Sequence, residues 1–268
     1  MARDGFRRLV ISTIVLKVGT SSLVNGDFSI NKKNISSLLY SISELRDKGI
    51  SVVLVTSGAI VFGMRELGLR KRPKDVISRQ ACAAVGQSKL MIEYSNIAGI
   101  YGINVGQILL NHDDFKFSNR MKHLKNTLRK MSGYGVLPII NENDALAVDE
   151  IKFGDNDTLA SFVAPLVDAE LVVLLTDIDG LYDKDPRSNP DAKLIKDVYG
   201  VDDNIKALAA PPQSAVGTGG MITKVMSARY ANEHGIDLMI CNSKHMGNLA
   251  EVLDRRDIGT MFHSKVNR

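Results

Sequence analysis

Six short runs rich in Val, Ile and Leu, at residues 10–18, 51–56, 103–110, 136–140, 171–176 and 236–240, each end in a polar or glycine-rich turn. They have the length of strands, and their near-continuous apolar character suits burial on both faces of a sheet. Amphipathic segments fill the intervals. In the first of them Ile35, Leu38, Leu39, Ile42 and Leu45 fall on one helical face, with Asn31 placed to cap its start. Alternating strand and helix predicts an α/β chain, a three-layer αβα sandwich around a mostly parallel central sheet. With 268 residues, 44% of them hydrophobic, the chain can fill a large core. It shows no repeat, low-complexity tract or linker-like break, so one domain over residues 1–268 is expected. Residues 209–220, rich in Pro, Gly, Ser and Ala, read as a mobile loop within it.

Charge and cysteine usage exclude several functions. Lys and Arg number 34 against 30 Asp and Glu, spread along the chain, which argues for a solvated surface. The richest basic stretches, residues 65–74 and 121–130, read as solvated surface, and no nucleic-acid partner is expected. The apolar run near the start is interrupted by Ser12, Thr13 and Lys17, so no membrane span is expected. Cys82 and Cys241 lie in apolar or small-residue surroundings without metal-ligand spacing; buried free thiols in a reducing, cytoplasmic compartment fit them.

Chemistry concentrates where the strands end. After the run at 136–140 come Asn141-Glu142-Asn143-Asp144 and, beyond a spacer, Gly154-Asp155-Asn156-Asp157 ahead of a helix-like run at 158–167. Asn141 is expected to mark the point where the chain leaves the core. The second cluster is expected to cap that helix while its side chains converge on a cleft; a solvated turn is the alternative for the first. The first strand closes in Lys17-Val18-Gly19-Thr20-Ser21-Ser22, a turn with backbone donors and a lysine suited to phosphate, or else a lysine that reaches solvent. Thr56-Ser57-Gly58 repeats the pattern ahead of a helix, with Ser57 either a cap or a ligand contact. Thr176-Asp177 ends the fifth run and leads to Asp179-Gly180-Leu181-Tyr182, which lacks the spaced acidic ligands of a calcium loop. Gly217-Thr218-Gly219-Gly220-Met221-Ile222-Thr223-Lys224 opens a helical segment at 223–234 without the Gly-Lys-Ser/Thr order of a Walker loop.

In this order the segments KVGTS, VTSGAI, PIINENDA, KFGDND, LLTDIDGLY, DPR and GTGGMITK closely resemble the glutamate kinase branch of the amino acid kinase family, over nearly the whole chain. The resemblance implies ATP-dependent phosphorylation of the γ-carboxylate of L-glutamate, with Mg²⁺ carried on the ATP phosphates. It implies that Lys17 and Lys224 neutralise the transferring phosphoryl group, that Asp157 holds both lysines, and that Gly19 and Gly58 offer backbone donors. Glutamate is expected at Ser57, Asp144 and Asn156. ATP is expected at Lys17, Thr176, Asp177, Thr218, Gly219, Gly220, Met221, Ile222, Thr223 and Lys224. Dimers or tetramers and feedback inhibition by proline are implied as well. Many members carry a C-terminal PUA domain, whereas this sequence stops at Arg268, so none is expected.

Overall fold

Val15 pairs with Val53 on one side and Val172 on the other, at the centre of the sheet. Along β1 (Thr13–Val18) successive side chains point to opposite faces. Ile14, Leu16 and Val18 therefore enter one apolar cluster and Val15 a second. A strand buried on both faces needs helices on both. The computed structural model describes residues 11–146, 156–209, 220–254 and 258–264.

Among these residues eight strands form one sheet: β1, β2 (Ser51–Val55), β3 (Asn104–Leu110), β4 (Val136–Glu142), β5 (Leu171–Thr176), β6 (Asp197–Val198), β7 (Asp237–Asn242) and β8 (Thr260–Phe262). Their order is β3-β4-β2-β1-β5-β7-β8-β6. From β3 to β7 every pairing is parallel, and β8 reverses against β7. The mostly parallel αβα sandwich expected from the sequence is what forms. The two short strands β6 and β8 escape the sequence pattern because two or three residues are too few to show a period.

One face is covered by α1 (Thr20–Leu23), α2 (Lys32–Asp47), α3 (Ala59–Glu66), α4 (Val76–Ile100) and α9 (Leu249–Asp254). The other carries α5 (Ser118–Gly133), α6 (Asn156–Val163), α7 (Asp203–Ala209) and α8 (Met221–Glu233). The apolar face read for α2 is fully buried, and Asn31 Oδ1 accepts a hydrogen bond from Asn34 N at 3.0 Å, as expected of a cap. α3 and α4 cross with their backbones in contact. A Cβ on Gly63 would lie 1.8 Å from the Cys82 carbonyl oxygen, and one on Gly86 1.8 Å from that of Ala59. Glycine is required at both positions by this close approach.

Two boundaries differ from expectation. β4 does not end at residue 140; Asn141 and Glu142 pair with Leu109 and Leu110 of β3 and are buried, because the longer neighbouring strand keeps their backbone groups in the ladder. The chain leaves the core after Glu142. The helix expected at 158–167 begins at Asn156 and tightens into a 3-10 turn over Ala164–Val167. Of the loop expected at 209–220, residues 210–219 lie outside the described residues. Cys82 and Cys241 are buried free thiols. No helix among the described residues is long and apolar enough to cross a membrane.

Candidate active site

Parallel pairing brings the carboxyl ends of β1, β2, β4, β5 and β7 to one edge of the sheet, where ligands collect in open α/β folds. Lys17 shares its parity with Val15, so its side chain leaves β1 on the face covered by α6 and α8. Asp157 stands in the first turn of α6 and Lys224 in the first turn of α8. Lys17 Nζ lies 2.6 Å from Asp157 Oδ1, and Lys224 Nζ donates to Asp157 Oδ2 at 2.7 Å. Asp157 is 0% exposed, Lys17 5% and Lys224 7%.

Burying ions costs several kcal/mol each before pairing, and an apolar trio of similar volume often serves stability better. With all three groups ionised, the cluster carries one excess positive charge in a low-dielectric setting. Such an excess complements an anion. Asp157 sits inside the helix with its oxygens on the lysines, so it does not act as the end cap that the sequence suggested. Residues 154 and 155 of the same motif lie outside the described residues.

A cavity of about 160 Å³ opens beside this cluster, lined among others by Ser57, Gly58, Arg72, Glu142, Asp144 and Asn156. Drug-sized pockets run to roughly 300–1,000 Å³, so the space suits a small metabolite. Gly58 precedes α3 with φ of 108°, a left-handed conformation that a glycine adopts without strain. Asn156 Nδ2 lies 2.6 Å from the Thr56 carbonyl, 2.8 Å from Ser57 Oγ and 2.9 Å from Asn141 Oδ1. Its own Oδ1 is buried without a partner among the described residues, an acceptor that a bound N–H group would satisfy.

A second layer fixes these contacts, and sequence reasoning did not find it. Thr56 Oγ1 and Tyr94 Oη are 2.8 Å apart and buried, and burial raises the Tyr94 hydroxyl well above its ordinary pKa. Asn141 Nδ2 donates to Gln87 Oε1 at 2.9 Å, and Gln87 Nε2 to Gln107 Oε1 at 3.1 Å. A carboxamide chain thus runs from β3 through α4 and β4 to Asn156. The only signal in the sequence was polar residues set among apolar neighbours.

Thr176 ends β5 opposite Asn242, with Asp177 next and Thr176 Oγ1 donating to Asp177 Oδ1 at 3.0 Å. Asn242 Nδ2 donates to Asp179 Oδ1 at 3.1 Å and to the Asp177 carbonyl at 3.4 Å. Lys244 Nζ binds the same Asp179 oxygen at 2.8 Å, and chiefly this bond holds the carboxyl below the usual range, against some desolvation. Gly220 caps α8 without a side-chain hydrogen bond, and Met221, Ile222, Thr223 and Lys224 form its opening turn. Leading amides of this kind suit an anion. Gly19 lies beside Lys17, its Cβ direction 3.7 Å from Lys17 Nζ. Thr218 and Gly219 lie outside the described residues. The remaining expected residues therefore gather into three adjacent places: the lysine cluster, the small cavity, and the ends of β5 and α8.

Residues 12–242 match the model of the amino acid kinase family. Glutamate 5-kinase of Lactococcus lactis subsp. lactis (strain IL1403) is 42% identical over 261 residues, covering 96% of this chain and 97% of that protein. Glutamate 5-kinase of Escherichia coli (strain K12 / DH10B) is 44% identical over 253 residues, covering 94% of this chain and 69% of that protein. In fold the chain is similar to the isopentenyl phosphate kinase of T. acidophilum, with a TM-score of 0.65 at 20% identity over 94% of this chain and 100% of that one. It is similar also to UMP kinase from Bacillus anthracis, with a TM-score of 0.65 at 14% identity over 96% of this chain and 97% of that one. By sequence and by architecture, this chain belongs to the amino acid kinase family, on its glutamate 5-kinase branch.

Proposed function

We propose that this chain transfers the γ-phosphoryl group of ATP to the γ-carboxylate of L-glutamate, giving L-glutamyl 5-phosphate and ADP, the first step of proline biosynthesis from glutamate. The observation that carries the reading is the buried Lys17–Asp157–Lys224 cluster beside a small cavity. It is reinforced by relatives named for this activity along nearly all of the chain.

The chemistry asks little of the protein beyond position and charge. A carboxylate oxygen attacks the γ-phosphorus, the bond to the β,γ-bridging oxygen breaks, and ADP leaves; the nucleophile is already ionised, so no base is needed. Lys17 and Lys224 face the charge on the transferring group, and Asp157 fixes both ammoniums beforehand. Preorganised charge of this type is the largest single source of rate in many enzymes. Ser57, Asp144 and Asn156 hold the amino acid, with Asp144 and the unpartnered Asn156 Oδ1 suited to its ammonium. Thr176, Asp177 and the start of α8 from Gly220 to Lys224 receive the nucleotide, while Gly19 and Gly58 present backbone donors to phosphate; Thr218 and Gly219 belong to the same reading.

Mg²⁺ enters with ATP. Among the described residues no group of three or more His, Cys, Asp or Glu forms a metal cage, and the Asp157 oxygens face lysines. Mg²⁺ carried on the ATP phosphates would supply charge neutralisation there with few direct protein ligands. The reading also includes a cytoplasmic location, a homo-oligomeric assembly of two or four chains, and feedback inhibition by proline.

ADP release measured across a panel of acceptors tests it. Glutamate is expected to exceed aspartate, acetylglutamate, carbamate and nucleoside monophosphates, with turnover falling as proline is added. A preference for any other acceptor overturns the assignment. Binding of ATP and glutamate without turnover makes the chain a sensor instead.

A further inference from the structure

Arg72 sits in the loop between α3 and α4, within the basic stretch that reads as solvated surface in the sequence. It is exposed, yet it lines the same cavity as Ser57, Glu142, Asp144 and Asn156. It is the one cationic side chain among the described residues that line this cavity. Among the described residues no hydrogen bond or ion pair of its guanidinium is seen.

We propose that Arg72 reads the α-carboxylate of the amino acid substrate and so determines specificity for a substrate that carries one. The inference rests on glutamate as the phosphoryl acceptor, and it names a contact that the family motifs do not assign. A γ-carboxylate directed at the lysine cluster leaves two opposite charges on the far carbon. The ammonium meets acceptors: Asp144, Glu142 and the buried Oδ1 of Asn156. An α-carboxylate in the same cavity is repelled by Glu142 and Asp144 unless a cation faces it. Arg72 supplies that cation, and its planar fork matches a carboxylate with two parallel hydrogen bonds. The neighbouring Arg70, Lys71 and Lys74 are exposed in the same loop and add positive charge to it, which favours the approach of anions.

The test compares L-glutamate with two analogues that lack a charged α-carboxylate, 4-aminobutyrate and the α-amide of L-glutamate, in the wild type, Arg72→Ala and Arg72→Lys. Analogues turned over too slowly to follow are measured as competitive inhibitors against glutamate. Arg72→Ala is expected to raise the KM for glutamate roughly 10- to 100-fold, the range for a charge-assisted contact, while the KM for ATP and the constants for both analogues hold. Arg72→Lys is expected to restore part of the loss, as a point charge without the fork. Equal changes for glutamate and the analogues, or an unchanged glutamate KM in Arg72→Ala, overturn the proposal. A wild type that does not phosphorylate glutamate sinks the underlying reading as well, and is told apart because it fails before any substitution is made. Arg72 is an exposed loop residue, so loss of the fold does not confound the comparison.

Discussion

Lys224 Nζ donates to Asp157 Oδ2 at 2.7 Å across 67 positions of sequence, and both groups are buried. The contact exists because α6 and α8 pack on the same face of β1, where Lys17 also points. Removing the carboxylate alone leaves two buried ammoniums facing each other. We expect Asp157→Asn to lower kcat at least about 100-fold, the scale of losing one preorganised donor. The same change should cost about 3–5 kcal/mol of stability, as when a buried pair loses one partner. Steady-state kinetics and urea unfolding check the two effects separately; full activity in the variant contradicts the assigned role.

The α3–α4 crossing admits no methyl group. In Gly63→Ala the new Cβ would meet the Cys82 carbonyl at 1.8 Å, and that partner is backbone, which cannot rotate away. The helices must separate, at a cost of about 1–3 kcal/mol or more for overpacking. At roughly 2–4 °C per kcal/mol for a chain of this size, thermal melting should show a clear drop. An unchanged midpoint contradicts the close approach.

Tyr94→Phe removes one hydroxyl and leaves Thr56 Oγ1 with only the weaker 3.3 Å contact to the Ser57 carbonyl. The loss should cost about 1–3 kcal/mol, the penalty for a buried polar group without its partner. Because Thr56 precedes Ser57, the KM for glutamate should rise more than the KM for ATP. Equal changes in both constants make Tyr94 a general structural residue.

Both thiols are shielded. Burial raises Cys82, and it pushes Cys241 up to about 12. At pH 8 a disulfide reagent should leave both unlabelled in the native protein and label both in guanidinium. The sign of the linked stability follows from the raised value. The native state keeps the Cys241 proton above the unfolded thiol pKa of about 8.5, so this contribution is full below that pH and declines as pH rises towards about 12. Cys241→Ala should flatten that alkaline loss in pH-dependent unfolding; an identical slope in the variant would count against it.

The central layers were legible in the sequence because burial on both faces leaves an unbroken apolar signature, as in Leu171–Thr176, whose limits coincide with the expected run. Short strands and strand ends were not. Thr260–Phe262 is too short to show a period, and β4 runs on to Asn141 and Glu142 because β3 continues beside them, which no local pattern records. The lysine cluster illustrates a different limit. Position parity puts Lys17 on the α6 and α8 face only once the helix packing is known, so its partners came from family resemblance and not from spacing. Gln87, Asn141 and Tyr94 support the site through contacts between distant segments. Arg72 reads as surface in the sequence because exposure and cavity lining are compatible at a loop, and composition cannot separate them.

Trapping the acyl phosphate with hydroxylamine tests the central claim most directly, using L-glutamate, ATP and Mg²⁺ with the wild type and Lys224→Ala. We expect γ-glutamyl hydroxamate from the wild type and a fall of about 100- to 1,000-fold in Lys224→Ala. No hydroxamate from a folded wild type, or equal amounts from the two proteins, would contradict phosphoryl transfer to glutamate by the buried lysine cluster.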